Sequence, residues 1–298
     1  MLWFKKQPPA QTLAVAGDTV VPQPLPIALD SQIFKHYFDS FVAQSAGAGG
    51  AAALIERLQA KQRSIASVLE LSQQAAELDE VELLLDQVFT ARRRLYPALE
   101  AAGAATVLAA LAQLVRGALP VAGRLQAFVD AMPGTAGMDR ASIKAANKLR
   151  RAAWDFAAEL LHFSDPDKFP LMTRWVWDQS TQSGALREFI RGNDTLKEIP
   201  LTNAPEMFEG ARAWLVDQLR TEGIYRDLPL WIDLMLGQAY TNYLRSVAEG
   251  GLGADFGRGT TPHEQLAKLL GVDDARRAGL SRVKKSRVDQ SGSRIEAQ

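Results

Sequence analysis

At 298 residues, with 47% hydrophobic and 23% charged residues, the chain is long enough to bury a substantial core, and its composition excludes wholesale disorder. Lys+Arg and Asp+Glu both number 34, so no overall field draws it to nucleic acid or to an anionic membrane, and any such attraction has to be local. The absence of cysteine excludes disulfides, thiolate nucleophiles, Cys-ligated zinc and iron–sulfur clusters.

Residues 1–29 carry Pro8, Pro9, Pro22, Pro24 and Pro26, which lack the N–H groups that helix and sheet ladders need, so an extended arm is expected. Its lysines follow the first apolar residues and prolines interrupt the rest, which is not the order of a secretory signal; a cytoplasmic protein of bacterial type is expected. Trp3 and Phe4 are expected to dock on the protein's own surface, or to stay disordered, rather than to form a partner site.

Asp30-Ser31 can cap a helix to about Gln44, with Ile33, Tyr37 and Phe41 on one face, before the Gly47–Gly50 run breaks it. From Ala51 the spacing of Leu54, Leu58, Ile65 and Leu69 predicts a long helix. Leu71, Leu78, Val81, Leu85 and Val88 carry the period on, with a break near Leu78-Asp79 where Asp79 can cap. Residues 64–90 hold Glu70, Glu77, Asp79, Glu80, Glu82 and Asp86 and no basic residue, and Arg92, Arg93 and Arg94 follow. Such an asymmetry reads as a solvated helix face ending in cations, with a charged partner surface as the alternative. Pro97, Gly103, Pro120 and the turn at Met132-Pro133-Gly134-Thr135 then mark off short Ala/Leu-rich helices. The most apolar stretch, Thr106–Leu119, is shorter than a membrane span and contains Arg116, so it reads as a core helix and no membrane span is expected.

In the central stretch Ala141–Asp178, Ala146, Leu149, Ala153, Phe156, Leu160 and Phe163 recur at helical spacing and should face the core. A second stripe is polar: Arg151, Asp155, Glu159 and His162 share one face. Two carboxylates and an imidazole suit a hard or borderline metal ion, or acid–base work, with Asp165 and Asp167 in the following turn as further ligands. The Glu159-Leu-Leu-His162 spacing is the unit used by di-iron helical bundles, but that architecture needs a second unit, and the chain has none. The competing structural explanation is an Arg151–Asp155 ion pair beside a hydrogen-bonded His162. Leu161-His162-Phe163 followed by Pro166-x-x-Phe169-Pro170 resembles the later helices of some helix-hairpin-helix DNA-repair proteins. No Gly-rich hairpin precedes it and Thr173 stands where an acidic residue is wanted, so no activity is carried over.

Trp154, Phe156, Phe163, Phe169, Trp175 and Trp177 gather aromatic surface that either packs the two halves of the chain together or stacks a flat ligand. On a helix Trp175 and Trp177 cannot face one side, which predicts a groove in which Phe169, Arg174, Trp175 and Trp177 meet a partner. Further on, Asn203-Ala204-Pro205-Glu206 opens a helix to about Arg220, Pro229 opens one that runs to Ala248, and Thr261-Pro262-His263-Glu264 is a capping box. The glycines of Glu249–Thr261 suit an anion cradle, yet no strand precedes them and no Gly-Lys-Ser/Thr follows, so a linker is expected. Residues 276–298 carry seven basic and two acidic residues, so Arg282, Lys284, Lys285 and Arg287 are candidate contacts to an anion or nucleic acid, against a solvated tail. His36, His162 and His263 with no Gly-x-Ser-x-Gly offer no nucleophilic triad.

No stretch shows sustained two-residue alternation, so the expected fold is all-α: a multi-helix bundle of two packed helical lobes, residues 30–137 and 138–271, between the arm (1–29) and a basic tail (272–298). The expected function is a non-enzymatic interaction module, an adaptor, assembly factor or accessory chaperone, that binds another protein or a second copy through its aromatic groove and tails, with no cofactor. A metal-dependent helical enzyme using Asp155, Glu159, His162 and Asp165, and nucleic-acid binding through the tail, are the alternatives.

Overall fold

The first helix begins where a side chain takes over a backbone partner: Asp30 accepts from the N–H groups of Gln32 and Ile33 at 2.8 and 3.2 Å and opens α1 (Ser31–Ser45). The computed structural model describes residues 20–71, 78–134, 139–249, 260–273 and 282–285. Trp3, Phe4, most of the Gly-rich stretch 249–261 and Arg287 lie outside them. Ten helices account for most of the described chain, with no strand and a single isolated bridge between Asp178 and Ser183. The fold is an all-α bundle, as the patterning predicts.

After α1 come α2 (Gly50–Leu71), α3 (Leu78–Asp86), α4 (Tyr96–Ala102), α5 (Ala104–Arg116), α6 (Val121–Ala131) and α7 (Arg140–Ser164). Gly103 takes a φ of +80°, a value that favours glycine, and turns the chain by 106° between α4 and α5. Arg124 of α6 is buried and donates to the Leu114 and Val115 carbonyls at 3.2 and 3.0 Å, which satisfies the last turn of α5. Helix α7 packs against α2, α5 and α6. Its N-terminal half is largely exposed, whereas Ala152–Phe163 are buried apart from the half-exposed Trp154.

The remaining helices are α8 (Pro205–Thr221), α9 (Leu228–Glu249) and α10 (Pro262–Leu269), the last opened by the predicted capping box of Thr261 and Glu264. Pro205 starts α8 as expected, but Asn203 does not cap it: its side chain accepts from the Gln179 N–H at 3.1 Å instead. Helix α9 packs on α1, α2, α8 and α10, so helices from both halves of the sequence share one apolar interior running from Leu29 to Val283. Phe34 sits at the crossing, edge-on to Trp214 with centroids 5.9 Å apart. No single helix among the described residues is long and apolar enough to cross a membrane.

Residues 165–204 contain only a short 3-10 turn at Ala185–Phe189, yet much of this stretch is buried. Side chains supply the hydrogen bonds that helices would have provided. Arg187 donates to the carbonyls of Gln182 (2.7 Å), Leu196 (2.9 Å) and Asn193, Trp154 Nε1 donates to Met172 O (3.0 Å), and Trp177 Nε1 donates to Leu201 O (3.3 Å).

Within the arm, Leu25 and Ile27 are half-buried and Leu29 is buried, while Gln23 N–H donates to Glu206 O at 2.9 Å across α8. That crossing passes over Gly210, where an added Cβ would lie 2.0 Å from the Gln23 carbonyl oxygen. Gly210→Ala should therefore lift the arm off α8. The expected readout is faster hydrogen exchange at the Gln23 amide and earlier proteolysis within residues 20–29, with the helical circular dichroism unchanged.

Candidate functional site

A buried polar cluster lies where α2, α7, α9 and α10 meet. On α2, Leu54, Leu58 and Ile65 are buried as their spacing predicts, and Lys61 occupies the same stripe and is 3% exposed. An ammonium there needs a counter-charge and acceptors. Glu159 of α7, also 3% exposed, forms an ion pair with it; Lys61 Nζ donates to Leu270 O at 2.7 Å and lies 4.4 Å from the centroid of the Phe163 ring. Burial raises the Glu159 pKa, and Lys61 opposes that rise.

One turn along α7, His162 is held at both ring nitrogens: Nδ1 is 2.8 Å from Phe169 O and Nε2 is 2.9 Å from Oδ2 of Asp233 on α9. A carbonyl can only accept, so Nδ1 carries a proton. The ring is thus fixed between a backbone carbonyl and a carboxylate oxygen from another helix. A cavity of about 20 Å³ lined by His162 and Asp233 abuts this pair, large enough for one water, and Asp233 Oδ1 has no partner among the described residues.

Asp155 belongs to a different group. Its Oδ1 accepts from the Arg174 N–H at 2.8 Å and its Oδ2 is 4.0 Å from the Arg174 guanidinium, which itself pairs with Asp178 at 2.6 Å. The ion pair expected with Arg151 is replaced by Arg174, because the buried side of α7 turns Asp155 inward while Arg151 stays exposed. Asp155, Glu159 and His162 thus share a stripe but face separate partners. The exposed Asp165 ends α7, its N–H donating to His162 O at 3.1 Å. Among the described residues no group of three or more His, Asp or Glu side chains is placed to hold a metal ion.

The aromatic groove expected at the surface is corrected to core. Phe169, Trp175 and Trp177 are 2%, 4% and 1% exposed, and only the Arg174 side chain, at 28%, reaches solvent. The helical premise behind that expectation fails: residues 165–178 are irregular chain, exposed at Asp165 and Asp167 but buried over most of 169–178, so both tryptophans can point inward.

The described part of the basic tail, residues 282–285, is likewise engaged. Arg282 donates through its N–H and Nε to Asp86 Oδ1 at 2.9 and 3.2 Å and pairs with Asp273. Lys285 pairs with Glu82 at 2.7 Å, and Lys284 N–H donates to Arg92 O at 3.1 Å. Two members of the acidic run, Glu82 and Asp86, therefore meet cations of their own chain.

Lys61 and Asp233 escaped the sequence reading although both leave a signal. Lys61 is a lone charge on an apolar helical stripe, and Asp233 is the single charge in Pro229-Leu-Trp-Ile-Asp-Leu-Met-Leu236. Comparison with family models, with curated proteins and with solved structures returned no match. The short likeness of Leu161–Pro170 to DNA-repair helices therefore gains no support from related folds.

Removing one partner of a buried pair leaves an uncompensated charge in the core. Lys61→Met is expected to lower stability by about 3–5 kcal/mol in urea unfolding, and Lys61→Met combined with Glu159→Leu to recover most of the loss. Asp155 gives a pH signature. Burial pushes its carboxyl up to about 7, against the Arg174 N–H and guanidinium. The unfolded aspartate titrates near 3.8, so between these values the folded state holds a proton the unfolded chain has released, and the contribution of Asp155 to stability falls as pH rises through that window. Asp155→Asn keeps an acceptor for Arg174 without the charge. Its thermal midpoint should gain on that of the unmodified protein between pH 5 and pH 8; a pH-independent difference would count against a desolvated carboxyl.

Proposed function

We propose that the chain is a non-enzymatic protein-interaction module, of the adaptor or assembly-factor kind, whose docking surface is the cleft between α4 and the exposed half of α7. The carrying observation is a cleft of about 430 Å³ whose floor is apolar, from Pro97, Ala98, Ala101, Pro133 and Leu149, and whose rim is cationic, from Arg94 and Lys148. It is larger than a packing defect and offers few polar groups of the sort that orient a small substrate.

Charge specifies the occupant. From Arg140 to Trp154 helix α7 contains no acidic residue, and Arg140, Lys144, Lys148 and Arg151 recur along one exposed face beside the cleft. None of these four is in an ion pair with a described residue, whereas Arg150, one position off the stripe, pairs with Asp130 at 2.8 Å. An apolar floor with a cationic edge suits an amphipathic helix whose apolar face enters the cleft and whose flank carries Asp or Glu. Further support comes from the interior: the acid–base groups Glu159, His162 and Asp155 are each tied to another part of the same fold.

Selection from a displayed library of random peptides tests this. Enriched peptides should carry carboxylates beside apolar residues at helical spacing, and their affinity should fall with salt. Lys148→Glu, or Ala101→Trp to fill the cleft, should weaken binding by at least about tenfold, equivalent to about 1.4 kcal/mol. Peptides that bind both variants as well as the parent protein would remove the cleft as the docking surface.

A further inference from the structure

A second cleft, of about 450 Å³, lies on a different part of the surface, between α2, the 87–95 turn that follows α3, and α10. It is independent of the docking surface described above. Arg57, Arg92, Arg93, Lys268 and Arg282 line it, together with His263, and among the described residues only Glu264 and Asp273 bring carboxylates to it. Both carboxylates are already engaged. Glu264 Oε2 accepts from the Thr261 N–H at 2.7 Å in the capping box of α10, and Asp273 is paired with Arg282. Asp86, behind the cleft, is held by the same Arg282.

Arg92 is the feature that structural needs leave unexplained. It is 3% exposed, lies over the Phe89 ring at 5.0 Å, and its Nη1 is buried with no hydrogen-bond partner among the described residues. A guanidinium stays protonated at any ordinary pH, so this is a buried positive charge with an unfilled donor at the wall of an open, cation-lined cleft. Burial and the neighbouring Arg282 disfavour its charged form, Asp273 and Asp86 partly oppose them, and an entering anion would add to that opposition. A planar fork of N–H donors fits the oxygens of a phosphoryl group, and it binds them more strongly where water is excluded.

We infer that this cleft binds a small phosphate-bearing anion, with the Arg92 guanidinium as the central ligand and Arg93 and Lys268 completing a cationic surround. The volume exceeds what an inorganic phosphate fills and lies in the range of small-molecule sites, so a phosphate monoester of nucleotide size also fits.

Isothermal titration of the full chain with inorganic phosphate, at ionic strength fixed with chloride, tests the inference, and adenosine 5′-monophosphate and adenosine serve as parallel probes. The expected result is saturable one-site phosphate binding with a matching rise in the thermal midpoint. Arg92→Met should abolish both effects. Because that variant alters a buried position, Arg93→Gln, at an exposed one, provides a second arm and should weaken phosphate binding several-fold while leaving the circular dichroism unchanged. Tighter binding of the monophosphate than of phosphate would assign an ester as the natural ligand, and equal binding would assign the free anion. No saturable response to either phosphate probe, adenosine binding as tightly as its monophosphate, or undiminished phosphate binding by a folded Arg92→Met protein would overturn the inference.

Discussion

The buried pair of Lys61 and Glu159 is the constraint around which the bundle is assembled. It joins α2 to α7 by charge, and the same ammonium donates to Leu270 O at the end of α10. Slightly further along α7, the His162–Asp233 contact ties in α9. Four helices that also pack through apolar surface are therefore bound at one level by polar bonds with few alternative geometries. Burying an ion pair gains little over apolar packing, because desolvation offsets most of the Coulomb attraction. What the pair supplies is discrimination. A sliding or rotation of α2 against α7 that apolar side chains would tolerate strands a charge in the core.

Close backbone approaches make that arrangement tighter. Gly271, just after α10, has a φ of +71°, and a Cβ there would lie 1.9 Å from the Gln87 carbonyl oxygen and 3.2 Å from Lys61 Nζ. The end of α10 is thus pressed against the turn after α3 at the point where Lys61 reaches it. The docked segment Arg282–Lys285 covers that same turn, with Arg282 clasping Asp86 and Asp273. The cleft around Arg92 is walled by these elements, so its geometry follows from the polar core as well as from surface residues.

Helices were legible in the sequence wherever local chemistry decides them. Asp30, Pro205 and the Thr261–Glu264 box start their helices by satisfying or removing free N–H groups, a condition confined to a few neighbouring residues. The stripe of Leu54, Leu58 and Ile65 likewise reports burial directly. Residues 165–204 were not legible in the same way. Their hydrogen bonds run through Arg187, Trp154 and Trp177 to carbonyls of the irregular chain, and no periodicity announces such pairings. For that reason Trp175 and Trp177 read as groove residues while folding as core. The polar stripe on α7 was visible as Asp155, Glu159 and His162, but Lys61, Arg174 and Asp233 come from other elements, and distance along the chain hides such partners until the helices are packed.

Helix α7 shows how one element can serve both the interior and the surface. Ala152–Phe163 form the buried half, where small residues such as Ala153, Ala157 and Ala158 let α2, α5 and α6 approach and the few charges each meet a partner. The half before it projects beyond the core and carries cations without carboxylates. Helix stability does not account for this choice: a cation at Arg140, in the first turn, faces the positive end of the helix dipole, and Asp139 offsets it only by capping the Ala141 and Ser142 N–H groups. Neither does packing, since Lys144, Lys148 and Arg151 remain exposed. An exposed cationic stripe that gains nothing from its own helix, set beside an apolar cleft, acquires a physical rationale when an acidic, apolar segment lies against both.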